Sequence, residues 1–377
     1  MSKLEGFYDR SPIWLQNIMV SVKGYLNNRE RYGKEYNAYR VFLEEFDQYS
    51  LEEQLEYQRK ELVNFVRFAA QNSAFYRELY QDIDLDTIQT VDDLKKLPIL
   101  EKEDLRRHMD RVRSQIDEPC WLANTGGTTG KSLQVAMTYR DMMHRMATLD
   151  HFKARVGFEH RKMRRATFNG KHIVPPTQKK KCFWRYNAAC KQMIYSSFHI
   201  TEENIGSYVE SLNRFKPHSI DGFFTSMCDV ANYIERHQVA LKFKPIAIFP
   251  TSETLNESGR ALLERVFGCK VYDQYASSEG APFVTECPEQ NLHLELSSGV
   301  FESMEGSDEV LVTSFTTHGT PLIRYRIGDR MQFAPQATCT CGNPAPIVRS
   351  IEGRRLDYLY TAEGAKINAG NISNILK

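Results

Sequence analysis

The side chains most able to do chemistry stand together at Thr125-Gly126-Gly127-Thr128-Thr129-Gly130-Lys131-Ser132. Glycines let backbone N–H groups approach an anion, hydroxyls add donors, and the lysine offsets negative charge. Such a stretch suits a polyphosphate. It departs from the P-loop pattern G-x-x-x-x-G-K-[ST], because Thr125 takes the place of the first glycine, whose backbone conformation threonine rarely adopts. Taken alone, the stretch also fits a flexible polar loop.

A second group lies among the cysteines. Cys287, His293, Cys339 and Cys341 supply three thiols and an imidazole, a donor set that suits tetrahedral zinc. Neither spacing is the usual C-x2-C, and His293 alone also reads as a satisfied surface histidine. Cys120, Cys182, Cys190, Cys228 and Cys269 are scattered singly and read as buried thiols. Eight cysteines in 377 residues are too sparse for a disulfide scaffold.

The elements that must hold these groups follow from the pattern of the chain. With 41% hydrophobic residues and a net charge of +1, the composition is that of a globular protein without a global field for nucleic acid or an anionic membrane. Lys179-Lys180-Lys181 reads as a solvated loop. No apolar run is long enough to span a membrane, and the N-terminus lacks a signal-peptide core, so a cytoplasmic location is expected. The first hundred residues read as mostly helical. Ser50-Leu51-Glu52-Glu53 is a capping box, followed by Leu55, Leu62, Val63, Val66, Phe68 and Ala69 at helical spacing. A short polar helix is expected over 101–115, a strand over 133–137 and a helix over 140–156.

Strand and helix signals then alternate: a helix at 202–215, a strand at 219–224, a helix at 227–237 and the apolar run Pro245–Pro250. A helix at 256–267 and a strand at 270–275 follow. This argues for a largely parallel α/β sheet. Past residue 290 the short alternating runs at 310–312, 322–325 and 331–333 suggest an antiparallel β subdomain.

Five segments, in order, resemble the adenylate-forming superfamily of acyl- and aryl-CoA ligases. The glycine stretch is similar to T-[SG]-G-T-T-G-K-P, with Ser132 in place of the proline. Ser252-Glu253-Thr254-Leu255 resembles the G-E-x-L turn beside the adenine. Tyr275-Ala276-Ser277-Ser278-Glu279 is similar to Y-G-x-[ST]-E, Tyr325-Arg326-Ile327-Gly328-Asp329 to Y-R-T-G-D, and Gly353-Arg354-Arg355-Leu356-Asp357 to G-R-x-D-D. Asn169–Pro175, Phe183–Asn187 and Tyr195–Ile200 resemble one branch, the phenylacetate–CoA ligase-like enzymes, many encoded with capsular-polysaccharide biosynthesis. The resemblance covers roughly residues 45–377.

It implies an α/β fold: a large N-terminal domain of parallel α/β subdomains plus an antiparallel β subdomain, then a small lid domain. On this reading the chain divides into a helical region at 1–115, a nucleotide- and acid-binding core at 116–285, a β subdomain at 286–355 and a hinge at 356–377. The implied reaction joins a small carboxylic acid to the α-phosphorus of ATP, giving an acyl-adenylate and pyrophosphate, with CoA as the next acceptor. Thr125, Gly126, Gly127, Thr128, Thr129, Gly130 and Lys131 would hold the β- and γ-phosphates. Ser278, beside Ser277, would bond the α-phosphate, and Glu279 would ligate Mg²⁺. Ser252, Glu253 and Tyr275 would lie at the adenine, and Asp329 and Arg354 at the ribose. Thr128, Lys131 and Glu279 are the expected catalytic residues.

Each role has a structural counterpart: an Asp329–Arg354 ion pair, Glu279 as an exposed turn carboxylate, Tyr275 as a core aromatic. Phe183-Trp184-Arg185-Tyr186 fits either an acid pocket or core packing. The branch also pairs these cysteines and His293 as a structural zinc clip, and homodimers are consistent with it. Two other readings remain: an adenylating enzyme that acylates an amine or hydroxyl, and a silent homologue that only binds. Because only twenty residues follow Asp357, the lid domain is expected to be missing and Lys366 a poor substitute for its lysine. This form is then expected to bind ATP, adenylate slowly and hardly transfer to CoA.

Overall fold

The computed structural model describes residues 3–124, 133–334, 338–353, 358–360 and 366–368. The N-terminal helices are α1 (Lys3–Arg10), α2 (Ile13–Arg31), α3 (Lys34–Phe46), α4 (Leu51–Asn72), α5 (Ala74–Leu79), α6 (Lys102–Arg107) and α7 (Met109–Val112). Strands β1 (Cys120–Asn124) and β2 (Gln134–Thr138) precede α8 (Tyr139–Arg155). Then come β3 (Arg165–Asn169), β4 (Trp184–Asn187), β5 (Gln192–Ser196), α9 (Ile205–Phe215), β6 (Ser219–Phe223), α10 (Phe224–Arg236), β7 (Ala247–Thr251), α11 (Glu257–Phe267) and β8 (Lys270–Val271). The strands that follow are β9 (Gln274–Tyr275), β10 (Val284–Glu286), β11 (Leu292–Leu294), β12 (Gly299–Ser303), β13 (Glu309–Ser314), β14 (Tyr325–Ala334), β15 (Ile347–Glu352), β16 (Tyr358–Tyr360) and β17 (Lys366–Asn368).

Two compact units share this chain. One comprises Met1–Glu30, Phe152–Asp273 and Ile367–Lys377; the other, Arg31–His151 and Gln274–Lys366. In the first, the alternation of strands and helices produces a sheet of order β4-β5-β3-β6-β7-β8, parallel except for its edge strand β4. Ala247, Ile248 and Phe249 are each 0% exposed, so β7 is covered on both faces, as its unbroken apolar run requires. Asn256 caps α11 by accepting from Gly259 N at 2.8 Å, and Gly268 ends that helix in the left-handed region at φ 68°.

The second unit carries an antiparallel sheet of order β12-β13-β14-β15-β11-β10-β9 and the β1–β2 hairpin. Its α4 begins at the expected capping box: Ser50 Oγ accepts from Glu53 N, and the Glu53 carboxylate accepts from Ser50 N at 2.8 Å. Leu62, Phe65, Val66 and Ala69 bury the face below, whereas Leu55 is 43% exposed and lies off it.

Several expectations are corrected. The stretch 270–275 is not one strand: β8 pairs with β7 in the parallel sheet, while β9 pairs with β10 in the antiparallel one. A single alternating pattern conceals the point where the chain leaves one unit for the other. The runs at 322–325 and 331–333 are not separate strands, because Tyr325 through Ala334 form one strand holding the whole Tyr-Arg-Ile-Gly-Asp motif. The helix expected over 101–115 is two short turns, broken at His108 with φ −115° and ψ 20°. Of the five scattered cysteines only Cys190 is buried; Cys120, Cys182, Cys228 and Cys269 are half-buried.

Candidate functional site

In the antiparallel unit, two motifs far apart in sequence meet. Tyr275, on β9, donates its hydroxyl to Asp329 Oδ2, on β14, at 2.6 Å. The Tyr275 ring lies edge-on to Phe301 at 6.1 Å. Both motif residues are half-buried, so each keeps a face toward solvent.

The turn from β9 to β10 is tightly built. Ser277 Oγ accepts from Gly280 N at 3.2 Å and Ala281 N at 3.0 Å, so its oxygen is committed to shaping the turn. Ser278 is exposed at its crest. Gly280 has φ 108°, and a Cβ there would meet the Thr317 side chain at 2.5 Å, so only glycine fits. Beneath the turn lies the buried Arg145, a residue the sequence patterns did not flag. It donates to Gly280 O and Ala281 O, both at 2.9 Å, and sits 4.4 Å from the Phe283 ring centroid. Burial pulls the Arg145 pKa down to about 10.

Glu279 is only 5% exposed, which excludes the exposed-turn reading. Its Oε1 lies 3.2 Å from Lys102 Nζ. Lys102 opens α6, and the preceding segment is pinned to β14: Leu100 N donates to Arg324 O at 3.1 Å, and Arg326 N to Leu100 O at 3.0 Å. That pairing aims Lys102 at Glu279, and no local motif announces it. Arg326 pairs with Glu309 at 2.7 Å and Glu101 at 3.4 Å.

In the parallel unit, Ser252 and Glu253 follow β7 at its carboxyl end, where open parallel sheets present ligand-binding loops. Ser252 adopts φ 68°. The Glu253 carboxylate accepts from Thr225 N at 2.7 Å and Thr225 Oγ1 at 2.9 Å, clamping the first turn of α10. Burial raises its pKa despite those bonds; Asp229 is raised too, by burial and then by Glu253. Phe183 and Arg185 are 3% and 0% exposed and Phe183 stacks on Tyr208, whereas Trp184 and Tyr186 are half-buried.

The glycine stretch Thr125–Ser132 and Arg354 lie outside the described residues. The elements around the stretch are informative: β1 and β2 pair antiparallel, Asn124 opposite Gln134. A strand follows the glycines where a P-loop would lead into a helix, in keeping with the departure of Thr125 from that pattern.

The thiols and imidazole do converge. Cys287 directly follows β10, His293 lies on β11, and Cys339 and Cys341 sit in the segment joining β14 to β15. Their donor atoms all lie within 4.8 Å of one another. Cys287 Sγ and Cys339 Sγ are 3.6 Å apart; tetrahedral Zn–S bonds of ~2.3 Å would separate two sulfurs by roughly 3.8 Å. His293 Nδ1 lies 2.8 Å from Ala345 O, which orients Nε2 toward Cys341 Sγ at 3.6 Å. Backbone amides of Cys341 and Asn343 donate to Cys339 Sγ and Cys341 Sγ. Burial opposes ionisation of Cys339, yet the Cys341 amide and the His293 ring hold its pKa down to about 6. The donor set fits a thiophilic tetrahedral ion.

No family model matches the chain. It is 36% identical over 378 residues to Protein CapK of Staphylococcus aureus, covering 99% of this chain and 83% of that protein. It is 22% identical over 318 residues to Indoleacetate–lysine synthetase of Pseudomonas savastanoi, covering 80% and 73% respectively. Its fold matches that of 2-hydroxyisobutyryl-CoA ligase, solved in the postadenylation state in complex with R3-HIB-AMP. The TM-score is 0.67 at 14% identity, over 87% of this chain and 73% of that one.

Proposed function

Because this chain belongs to the adenylate-forming ligases, in the family of Protein CapK, we propose that it activates a small carboxylic acid with ATP and passes the acyl group to CoA. The observation that carries the reading is the union of separated motifs in one unit. Tyr275 meets Asp329 across 54 positions, and the same β9–β10 turn holds Glu279 against a cation.

The acid's carboxylate oxygen attacks the α-phosphorus, and pyrophosphate leaves with the electrons of the broken P–O bond. Such a step depends on alignment and on stabilising spread negative charge. Ser278, exposed at the turn crest, donates to the α-phosphate. Asp329, already accepting from Tyr275, takes the ribose hydroxyls, and Arg354 donates to the same sugar. Thr125 to Lys131 supply amides, hydroxyls and one ammonium to the outer phosphates. Glu279 is the residue to hold Mg²⁺: it is a hard oxygen donor, and Lys102 already places positive charge at its oxygen. When bound, Mg²⁺ offsets phosphate charge. Cys287, His293, Cys339 and Cys341 would hold a structural zinc ion, which would cross-link the β10–β11 and β14–β15 turns.

A second reading, acyl transfer to an amine, is favoured by the likeness to Indoleacetate–lysine synthetase. ATP–pyrophosphate exchange over a panel of carboxylic acids tests activation. Release of AMP that depends on CoA, against release that depends on an added amine, separates the two acceptors.

A further inference from the structure

Helix α2 presents its polar side to its own unit and its apolar side to solvent. The inward residues serve the free edge of β4. Asn17 Oδ1 accepts from Tyr186 N at 2.9 Å, Ser21 Oγ accepts from Ala188 N at 3.0 Å, and Asn28 donates to Ala189 O at 3.1 Å. Gln16 Oε1 accepts from the buried Arg185 at 2.6 Å. A Cβ at Gly24 would strike Asn187 at 2.3 Å, so the helix lies close on this edge. These bonds cover a strand edge that would otherwise invite pairing, and they commit the polar face.

The outward face carries Trp14 at 64% exposure, Ile18 at 50%, Val22 at 53% and Leu26 at 50%, with Tyr25 at 62% beside them. Spacing of four places Trp14, Ile18, Val22 and Leu26 in one row. An exposed apolar row of this extent marks a binding surface.

Its charged surroundings select the occupant. Lys23 and Arg29 are exposed on α2 and Arg10 on α1, against the exposed carboxylates Glu5 and Glu30. The loop carrying the exposed Lys179, Lys180 and Lys181 is tied to the same helices. Tyr8 donates to Ile173 O at 2.6 Å, His172 Nε2 lies 2.9 Å from Asp9 Oδ1, and Arg185 bridges Gln16 to Gln178. We propose that the α2 row and the Lys179–Lys181 loop form a peripheral docking surface for an anionic lipid bilayer. Trp and Tyr suit the interface between headgroup and acyl chain, and flanking basic groups are drawn to anionic lipid. A second copy docked through this face would be isologous and would set these basic groups against each other. No helix among the described residues is long and apolar enough to cross a membrane, so the contact is with the bilayer surface.

Flotation with phosphatidylglycerol–phosphatidylcholine vesicles tests this, with phosphatidylcholine vesicles as control. The protein should float with the anionic vesicles only, and high salt should release it. Trp14→Ser/Ile18→Ser/Val22→Ser, and separately Lys179→Glu/Lys180→Glu/Lys181→Glu, should each weaken binding by about tenfold or more. Both sets alter exposed positions, so melting should stay unchanged. Trp14→Phe should keep the binding and lose the vesicle-induced blue shift of tryptophan emission. Failure of the wild-type protein to float with anionic vesicles would overturn the proposal. So would undiminished flotation of the serine variant, or a dimer that this variant dissolves without any vesicle binding in the parent.

Discussion

The two units each bury a carboxylate against cations, and they do so in opposite ways. In the parallel unit Asp221 lies mid-strand on β6, with Lys153 at 3.4 Å and Arg165 at 3.2 Å. Lys153 is itself buried and caps the Phe249 ring at 5.2 Å. In the antiparallel unit Glu279 lies in a turn, and its cation Lys102 is 23% exposed at the start of a short helix. A cluster built into a sheet, with its carboxylate and one cation buried, holds a fold together. A pair at a turn, with one member open to solvent, can exchange its cation. The antiparallel unit also carries the metal-donor cluster and the Tyr275–Asp329 contact, so disturbances of charge and metal should reach it first.

The largest effect should come from breaking the cluster in the sheet. Asp221→Ala leaves the buried Lys153 facing the half-buried Arg165 and should cost about 3–5 kcal/mol in urea unfolding, whereas Glu279→Ala leaves only the partly exposed Lys102 and should cost about 1 kcal/mol or less. Similar losses in both variants would erase the distinction between the two pairs.

Removing a metal held by Cys287, His293, Cys339 and Cys341 should act on one unit. The donors span a loop of roughly fifty residues, and a cross-link closing such a loop is worth about 3–4 kcal/mol. A strong chelator should therefore raise hydrogen exchange in β10, β11 and β15 while sparing β6 and β7. Elemental analysis should find one zinc per chain; its absence, or uniform loosening of both sheets, would count against the clip.

Acid should also find the antiparallel unit. His144 stacks on Tyr39 at 4.0 Å, and burial, helped by Arg140, lowers its pKa from 6.5 to about 4. The unfolded chain then binds the proton more readily than the folded one. The contribution is complete above pH 6.5 and is lost as pH falls toward 4, for a total of about 3 kcal/mol. His144→Phe should flatten that part of the stability profile, and an unchanged slope would contradict the assignment.

The smallest effect should be at the Tyr275 hydroxyl. Its removal in Tyr275→Phe should weaken ATP binding about fivefold, the size of one hydrogen bond, with little change in stability. A change in stability without one in ATP binding would make Tyr275 a core residue only.

What could be read from the chain was local chemistry. The Ser50 capping box, the doubly covered β7 run and the Cys287–His293–Cys339–Cys341 donor set were legible because each depends on residue type and short spacing. Lys102 and Arg145 were not, since their partners lie more than a hundred positions away and a lysine or arginine on a helix ordinarily faces water. The division of 270–275 between two sheets was hidden for a similar reason: alternation reports a strand but not which sheet receives it. The row on α2 showed only once its polar face was seen bonded to β4.

The central claim is ATP-dependent activation of a carboxylic acid at the Glu279 turn. The direct test is ATP–pyrophosphate exchange across a carboxylic acid panel, run with the wild-type protein and with Glu279→Ala. Exchange is expected with at least one acid, falling about a hundredfold or more in the variant while its melting temperature stays within a few degrees. Exchange with no acid, or an undiminished rate in Glu279→Ala, would contradict it.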